Sequence, residues 1–182
     1  MDDASFTLSE HLRVLHLAGI RTLLPGETKP ATPGLLDHEP WPTFMAKLPP
    51  SPSTIWTYSE LGSDLSGQAS KARGDLWRRI IPALQLPKGF VGFFPYAIPQ
   101  EGTMQWCTKH FIQAISMIQP ATVVVFDDDA HNELVVAFRS ELPVNMDPGQ
   151  IHTAPGPQTL LSCSPESLHS TLERLKSILF TR

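Results

Sequence analysis

Three short apolar runs lie in the middle of this 182-residue chain: Thr54-Ile-Trp-Thr-Tyr-Ser59, Gly89-Phe-Val-Gly-Phe-Phe94 and Ala121-Thr-Val-Val-Val-Phe126. Two stretches of helical period separate them, from about Lys71 to Leu84 and from about Thr103 to Ile118. Short β-rich runs that alternate with helices are typical of βαβ units and of a parallel sheet. The stretch therefore predicts an α/β fold with three layers, α/β/α, around a small parallel sheet of about four strands.

The segments on the amino-terminal side of this stretch predict a helix and an extended connection. Thr7-Leu-Ser-Glu10 has the pattern of a capping box, which begins a helix. Eight of the chain's 18 prolines lie between Pro25 and Ser53. Proline disfavours both helix interiors and central strands. We therefore expect Pro25–Ser53 to be either an extended connection that packs onto the body through Trp41 and Phe44 or a segment that docks onto a partner.

The carboxyl-terminal part predicts one more strand and one more helix. The pattern of residues 128–139 fits either a short helix or the second arm of a hairpin, and residues 143–157 read as a loop. Gln158–Cys163 reads as a short strand. Ser164 is then a candidate N-cap and Pro165 a candidate first residue of the last helix, because both residue types favour those positions.

Length, composition and charge indicate an ordinary globular protein of one domain, residues 1–182. The hydrophobic content is 41% and the charged content is 18%. No apolar run approaches the roughly 20 residues that a membrane-spanning helix needs, and the first residues lack the features of a signal peptide. We expect a cytoplasmic protein that does not act on a membrane.

The charge balance argues against strong autonomous DNA binding. The net charge is −4 and the isoelectric point is near 5.9, whereas DNA-binding proteins usually carry a basic stripe that neutralises phosphates. The densest basic cluster is Lys71, Arg73, Arg78 and Arg79 on one predicted helix. A solvated helix face is its simplest interpretation.

The common catalytic motifs are absent from the sequence. It contains no glycine-rich phosphate loop and no Gly-x-Ser-x-Gly nucleophile elbow. Its seven histidines and two cysteines do not have the spacing of metal ligands. Cys107 lies on an apolar helical stripe, which favours a buried small side chain over a reactive thiol. The sequence therefore predicts neither a cofactor nor a metal.

Candidate chemistry is confined to residues that follow predicted strands. In parallel sheets the ligand crevice lies outside the carboxyl ends of the strands. Glu60 and Asp64 follow the first strand, where a carboxylate could orient a water molecule; alternatively they belong to a turn in which Asp64 caps a helix. Asp127-Asp128-Asp129 follows a later strand, where magnesium could bind, although an acidic turn is the better interpretation.

Five segments between Leu12 and Ile178 follow one another in a recognisable order: Leu12–Leu24; Tyr58-Ser-Glu-Leu-Gly62; Gly89–Pro99; Gln105–Pro120 with Val123–Phe126; and Leu160–Pro165. This order resembles that of the motifs of the uracil-DNA glycosylase superfamily. The second segment stands in the place of a Gly-Glu-x-Pro-Gly motif, the fifth in the place of a His-Pro-Ser motif, and the fourth is the closest match. The resemblance implies a glycosylase-like three-layer fold and a site at the ends of the strands.

The chain departs from that family at the positions that carry function. The family's histidine is replaced by Ser162 or Cys163, with Ser164 beside them, and its base-reading asparagine is matched by about Phe93. The aromatic residue that stacks on the flipped base would fall near Ala69 or Ser70. Among the functional positions of the family, only the glutamate of the first motif is matched by the same residue type here, Glu60. By position, the candidate residues for DNA contact are Phe93, Arg73, Ser162 and Ser164.

A second resemblance makes this loss understandable. The psi subunit family of bacterial DNA polymerase III is similar to a glycosylase fold without catalytic residues and acts through protein partners. Its layout resembles that of this chain, including the helix entry Ser164-Pro-Glu-Ser-Leu168. The resulting expectation is a catalytically degenerate glycosylase-fold protein that binds a protein partner in DNA replication or repair and contacts DNA weakly. The alternatives are a working glycosylase that uses Glu60, and a metal- or small-molecule-binding α/β protein.

Overall fold

The computed structural model describes residues 34–127, 134, 136–137 and 151–180. These residues belong to one compact unit, Pro33–Arg182. A 3₁₀ turn at Leu35–Asp37 precedes the other elements. The strands are β1 (Thr54–Thr57), β2 (Val91–Phe93), β3 (Ala97–Gln100), β4 (Thr103–Trp106), β5 (Thr122–Phe126) and β6 (Ile151–Ala154). The helices are α1 (Trp41–Ala46), α2 (Leu61–Leu65), α3 (Lys71–Ala83), α4 (Thr108–Ile118), α5 (Pro157–Ser162) and α6 (Pro165–Phe180).

The predicted α/β fold with a four-stranded parallel sheet is confirmed. The strand order is β2-β1-β5-β6, and all three pairings are parallel. Successive side chains of a strand point to opposite faces of the sheet. Ile55, Val123 and Val125 accordingly pack in one apolar cluster with α1 and α4. Trp56 and Phe126 pack in a second cluster with α3, α5 and α6.

The segment from Thr103 was predicted to open a helix, and that prediction is wrong. Thr103–Trp106 is strand β4, which pairs antiparallel with β3, and the helix starts only at Thr108. The two-residue turn between the strands, Glu101-Gly102, has φ values of 50° and 82°. Two positive φ values at a two-residue hairpin loop match the twist of the strands it joins. Trp106, the last residue of β4, is 41% exposed.

The prediction of a strand at Gln158–Cys163 is also wrong. These residues form most of α5, in which Pro157 occupies the first turn and Gly156 the N-cap. The missing strand is β6, which lies in a segment predicted to be loop and pairs with β5. Ile151 and Ala154 are its buried residues. The pattern Ile-His-Thr-Ala is too short and too mixed for its periodicity to identify a strand.

Three smaller predictions can be compared with the structure. Trp41 and Phe44 are 3% and 1% exposed, so the proline-rich segment is anchored through them as expected. Its residues 34–53 contain the 3₁₀ turn and α1 rather than purely extended chain. The Ser164 hydroxyl accepts a hydrogen bond from the Ser167 amide (3.2 Å) at the start of α6, which confirms the predicted cap. The predicted helix from Thr7 and most of residues 128–139 lie outside the described residues.

Candidate functional site

The strand order places a switch point at the carboxyl edge of the sheet. β1 is followed in the chain by β2 on one side, and the chain later crosses to β5 on the other side. In such sheets the connections diverge at these two strands, and ligands bind in the crevice between them. Ser59 and Glu60 follow β1, Asp127 follows β5, and all three are half-buried. Together with Tyr96, which follows β2, they form what we call the switch-point site.

Tyr96 contacts one carboxylate of the switch-point site, Asp127, and lies within electrostatic reach of the other, Glu60. Its ring is fully buried, and its hydroxyl donates a hydrogen bond to Oδ2 of Asp127 (3.1 Å). Burial raises the pKa of the Tyr96 phenol, and the negative charges of Asp127 and Glu60 raise it further. The phenol therefore remains a hydrogen-bond donor over the whole physiological pH range.

Glu60 is the first of the two carboxylates that the sequence offers as catalytic candidates. It lies at the N-cap of α2, and its Oε2 accepts a hydrogen bond from the hydroxyl of the adjacent Ser59 (2.7 Å). A carboxylate at this position has acceptor capacity left for a water molecule or a polar ligand. The single proton of the Tyr96 hydroxyl is committed to Asp127, so the switch-point site offers a polar ligand acceptor oxygens, chiefly those of Glu60.

Asp64, the second catalytic candidate, is occupied by scaffold contacts. Its Oδ2 accepts from the Tyr58 hydroxyl (2.7 Å) and from Nε of Arg73 (2.8 Å). Its Oδ1 accepts from a terminal guanidinium nitrogen of Arg73 (2.6 Å) and from the Ser70 amide (3.0 Å). A carboxylate has about four lone-pair sites, so these four bonds leave none for a water molecule. The contacts favour a role in which Asp64 holds α2 to the start of α3.

The stability of the protein should therefore depend on the ionisation of Asp64. Burial alone would raise the pKa of this carboxyl, but hydrogen bonds from Arg73, Tyr58 and Ser70 outweigh it and lower the pKa below its usual value. The unfolded chain then binds the proton at a higher pH than the folded chain, so stability rises with pH in this window. We expect the contribution of Asp64 to be complete above pH ~4 and to be lost as the pH falls through the lowered pKa. Urea unfolding of the native chain and of Asp64→Asn between pH 2.5 and 7 measures this, and parallel curves would contradict it.

The four residues predicted to contact DNA all make contacts within the scaffold. Phe93 is half-buried on β2, where its ring packs against Trp56 and Trp77 at centroid distances of 5.9 and 5.7 Å. Arg73 is engaged with Asp64. Ser162 donates its hydroxyl to carbonyls of its own helix, and Ser164 caps α6. Each of these side chains is thus engaged in contacts within the scaffold, and their role in DNA contact stays a prediction.

The basic cluster of α3 is partly neutralised by neighbouring carboxylates. Arg73 pairs with Asp64, and Arg78 pairs with the exposed Asp75 three residues earlier. Lys71 and Arg79 are exposed. This arrangement fits the solvated helix face expected from the sequence.

The predicted metal alternative falls only partly within the described residues. Asp127 lies at the switch-point site, whereas Asp128 and Asp129 are outside the described residues. Among the described residues, no group of three or more His, Cys, Asp or Glu side chains is placed to hold a metal ion. Within the same residues, no helix is long and apolar enough to cross a membrane.

Tyr96 and Trp106 are the functional candidates that sequence reasoning missed. Tyr96 follows β2 in Phe94-Pro-Tyr96, and this strand end was expected to border the crevice, so its position was the available signal. Trp106 was assigned to a helix, which hid its exposure. Its ring packs against Tyr96 at a centroid distance of 5.1 Å, so the two residues connect the switch-point site to the β3–β4 hairpin.

No family model matches this chain, and no curated protein sequence matches it significantly.

Proposed function

We propose that this protein is a catalytically degenerate member of the glycosylase-like α/β proteins, one that acts through a protein partner in DNA replication or repair. The observation that carries the proposal is the use of Asp64. All of its acceptor positions are taken by Arg73, Tyr58 and Ser70. Asp64 nevertheless lies only four residues after Glu60, the one functional position at which the chain matches the family. A carboxylate next to the crevice is thus committed to holding the scaffold.

Two further positions support the same proposal. Phe93, which stands where the resemblance expects a base-reading asparagine, contributes its ring to the aromatic cluster around Trp56 and Trp77. Ser162, one of the two residues that match the family's histidine, directs its hydroxyl back to the carbonyls of Gln158 and Thr159. Base flipping requires a pocket that stacks and hydrogen-bonds the extruded base. These side chains serve the packing of β2 and α5 instead.

The test combines partner capture with a glycosylase assay on one preparation. The purified chain, immobilised, is exposed to a native lysate of the source organism, and the captured proteins are identified by mass spectrometry and confirmed by reciprocal capture. The same preparation is incubated with oligonucleotides that contain uracil, hypoxanthine or alkylated bases. We expect reciprocal capture of replication or repair proteins and no released base. Release of a base, or capture no richer in such proteins than with an unrelated acidic α/β protein, would contradict the proposal.

A second candidate function, a glycosylase of altered specificity, is favoured by the position of Glu60. This carboxylate lies at the switch point with acceptor capacity left over, and a glycosylase could use it to orient the attacking water. If the protein releases a base, Glu60→Gln should lower the rate by 10²-fold or more, in the range of general-base contributions. Glu101→Gln, an exposed change in the hairpin turn, is the matched control. Equal rates for all three proteins would exclude Glu60 from catalysis.

The third interpretation, a metal- or small-molecule-binding protein, centres on Asp127–Asp129, of which the described residue Asp127 accepts a hydrogen bond from Tyr96. Calorimetric titration with magnesium and manganese tests its metal form. Binding that disappears in Asp127→Asn would favour it, and the absence of heat changes would remove it.

A further inference from the structure

An open cleft lies between the beginning of α1, the β3–β4 hairpin and the first turn of α4. Its volume is about 500 Å³, and Glu39, Trp41, Trp106, Lys109 and His110 are among its lining residues. Clefts of this size are typical of sites that take a small molecule or a single residue of a polymer. None of these lining residues belongs to the switch-point site.

Trp106 gives the cleft an aromatic wall. It is 41% exposed, whereas tryptophan side chains are on average strongly buried. Part of the indole packs against Tyr96, at a centroid distance of 5.1 Å and an interplanar angle of 57°. The Tyr96 ring is fully buried and therefore fixes the position of the indole. An exposed aromatic surface on a rigid support is suited to stack on a flat ligand.

A second aromatic pair lines the cleft at α1 and α4. The His110 ring lies flat on Trp41, with a centroid distance of 4.5 Å and an interplanar angle of 18°. Burial lowers the pKa of His110, which favours the neutral imidazole over the charged form. Trp41 is almost fully buried, and this pair therefore forms a fixed part of the cleft wall.

The charged groups of the cleft are Lys109 and Glu39. Lys109 is the second residue of α4, is exposed, and forms no ion pair with any residue that the structure describes. The Cys107 side chain does not cap the helix, so the first-turn amides add partial positive charge beside this ammonium. Glu39 accepts a hydrogen bond from the Thr43 hydroxyl (2.8 Å) and can also accept from the N–H groups of a ligand.

We propose that this cleft binds a nucleotide, with the base stacked on Trp106 and the phosphate at Lys109. The proposal deepens and rests on the proposed role in replication or repair, because it names single-stranded DNA as one source of the nucleotide, a free mononucleotide being the other. Stacking on the indole supplies most of the affinity and is tolerant of sequence. The net charge of −4 keeps long-range attraction to a phosphate backbone weak, so the contact involves few phosphates.

Fluorescence titration of the full chain tests the proposal with two probes. One is dTMP, followed by tryptophan emission; the other is a ten-nucleotide single strand of thymidylate with one 2-aminopurine, followed by the probe's own emission. Trp106→Ala should weaken binding by about tenfold or more, within the range measured for the loss of one base–aromatic stack, and Trp106→Phe should retain part of the affinity. Lys109→Gln should weaken binding and flatten its dependence on salt. For the oligonucleotide, the logarithmic salt slope should change by about 0.7, the value for one phosphate of a single strand.

The matched controls are Met117→Ala, an exposed residue of α4 that does not line the cleft, and Lys88→Gln, an exposed lysine before β2. Both should bind as the native chain does, and thermal unfolding verifies that every variant is folded. If Trp106→Ala fails to fold, Trp106→Phe and Lys109→Gln decide the matter.

Binding of the oligonucleotide alone identifies single-stranded DNA as the source of the nucleotide. Binding of dTMP identifies a free nucleotide, and either result supports the proposal.

Three results would overturn the cleft proposal. The first is that neither probe binds at millimolar nucleotide. The second is that the native chain and the Trp106 and Lys109 variants bind equally well. The third is that Trp106→Ala no longer captures the partner although no nucleotide binds. The last would assign the cleft to a protein partner. Base release in the glycosylase assay would overturn the proposed function while leaving these titrations valid, so the two failures are distinguishable.

Discussion

Replacement of Gly62 by alanine should destabilise the protein by about 3 kcal/mol or more, at the upper end of overpacking effects. A Cβ atom at this position would lie 2.1 Å from the carbonyl oxygen of Ala97 and 2.9 Å from the Cα of Ile98. Both are backbone atoms of β3 and cannot rotate away. The variant must separate α2 from β3, and Glu60 and Asp64 would move with α2. Urea unfolding followed by circular dichroism measures the change in the free energy of unfolding.

The matched control is the same substitution at Gly74, which should have the opposite effect. A Cβ atom at this position would meet only a terminal guanidinium nitrogen of Arg78, at 3.8 Å. Gly74 lies inside α3, where alanine is favoured over glycine by about 0.5–1 kcal/mol. We therefore expect Gly74→Ala to stabilise the protein. Equal effects of the two substitutions would show that the close approach of α2 to β3 does not control stability.

The fold could be predicted where one kind of periodicity dominates. The buried β5 run Thr122–Phe126 and the amphipathic α3 were identified with nearly the observed bounds, because their patterns are long or uniformly apolar. The hairpin could not be predicted in this way. Met104 and Cys107 fit the apolar stripe of the following helix, but pairing of Thr103–Trp106 with β3 outweighs that periodicity. Tertiary pairing of this kind leaves little trace in a single short segment.

The candidate site could be predicted in position but only partly in composition. Parallel strands bring their carboxyl ends to one edge, so Glu60 and Asp127 were expected near a common crevice. The pairing of Asp64 with Arg73 depends on how α2 meets α3, and residues nine apart in two helices have no fixed relation in sequence. The burial of Tyr96 and the exposure of Trp106 depend on the hairpin that was missed. The occupied Asp64 and the open cleft were therefore visible only in the structure.

The ion pair between Asp64 and Arg73 should be the most important polar contact of the scaffold. The two side chains are 10% and 16% exposed, so water can replace little of the lost interaction. Asp64→Ala would leave the Arg73 guanidinium, the Tyr58 hydroxyl and the Ser70 amide without their acceptor. Loss of one partner from a largely buried pair costs about 3–5 kcal/mol. We expect a loss of about 3 kcal/mol in the free energy of unfolding, at the lower end of that range because neither side chain is completely buried.

An exposed ion pair on α3 provides the control for this prediction. Asp75 and Arg78 form a similar contact, but their side chains are 50% and 76% exposed. Asp75→Ala should change the stability by less than about 0.5 kcal/mol, because water screens the interaction and replaces it. Equal effects of Asp64→Ala and Asp75→Ala would contradict a special role for the buried pair.

The double variant Asp64→Ala/Arg73→Met separates the cost of a stranded charge from the value of the pair. Methionine keeps much of the apolar length of arginine without its charge, so the double variant leaves no unpaired guanidinium at the start of α3. It should lose less stability than the sum of the two single variants, with a coupling energy of about 1–3 kcal/mol. Additive losses would mean that each residue acts through its own packing. In that case the four hydrogen bonds at Asp64 would no longer explain why this carboxylate does not take part in binding at the crevice.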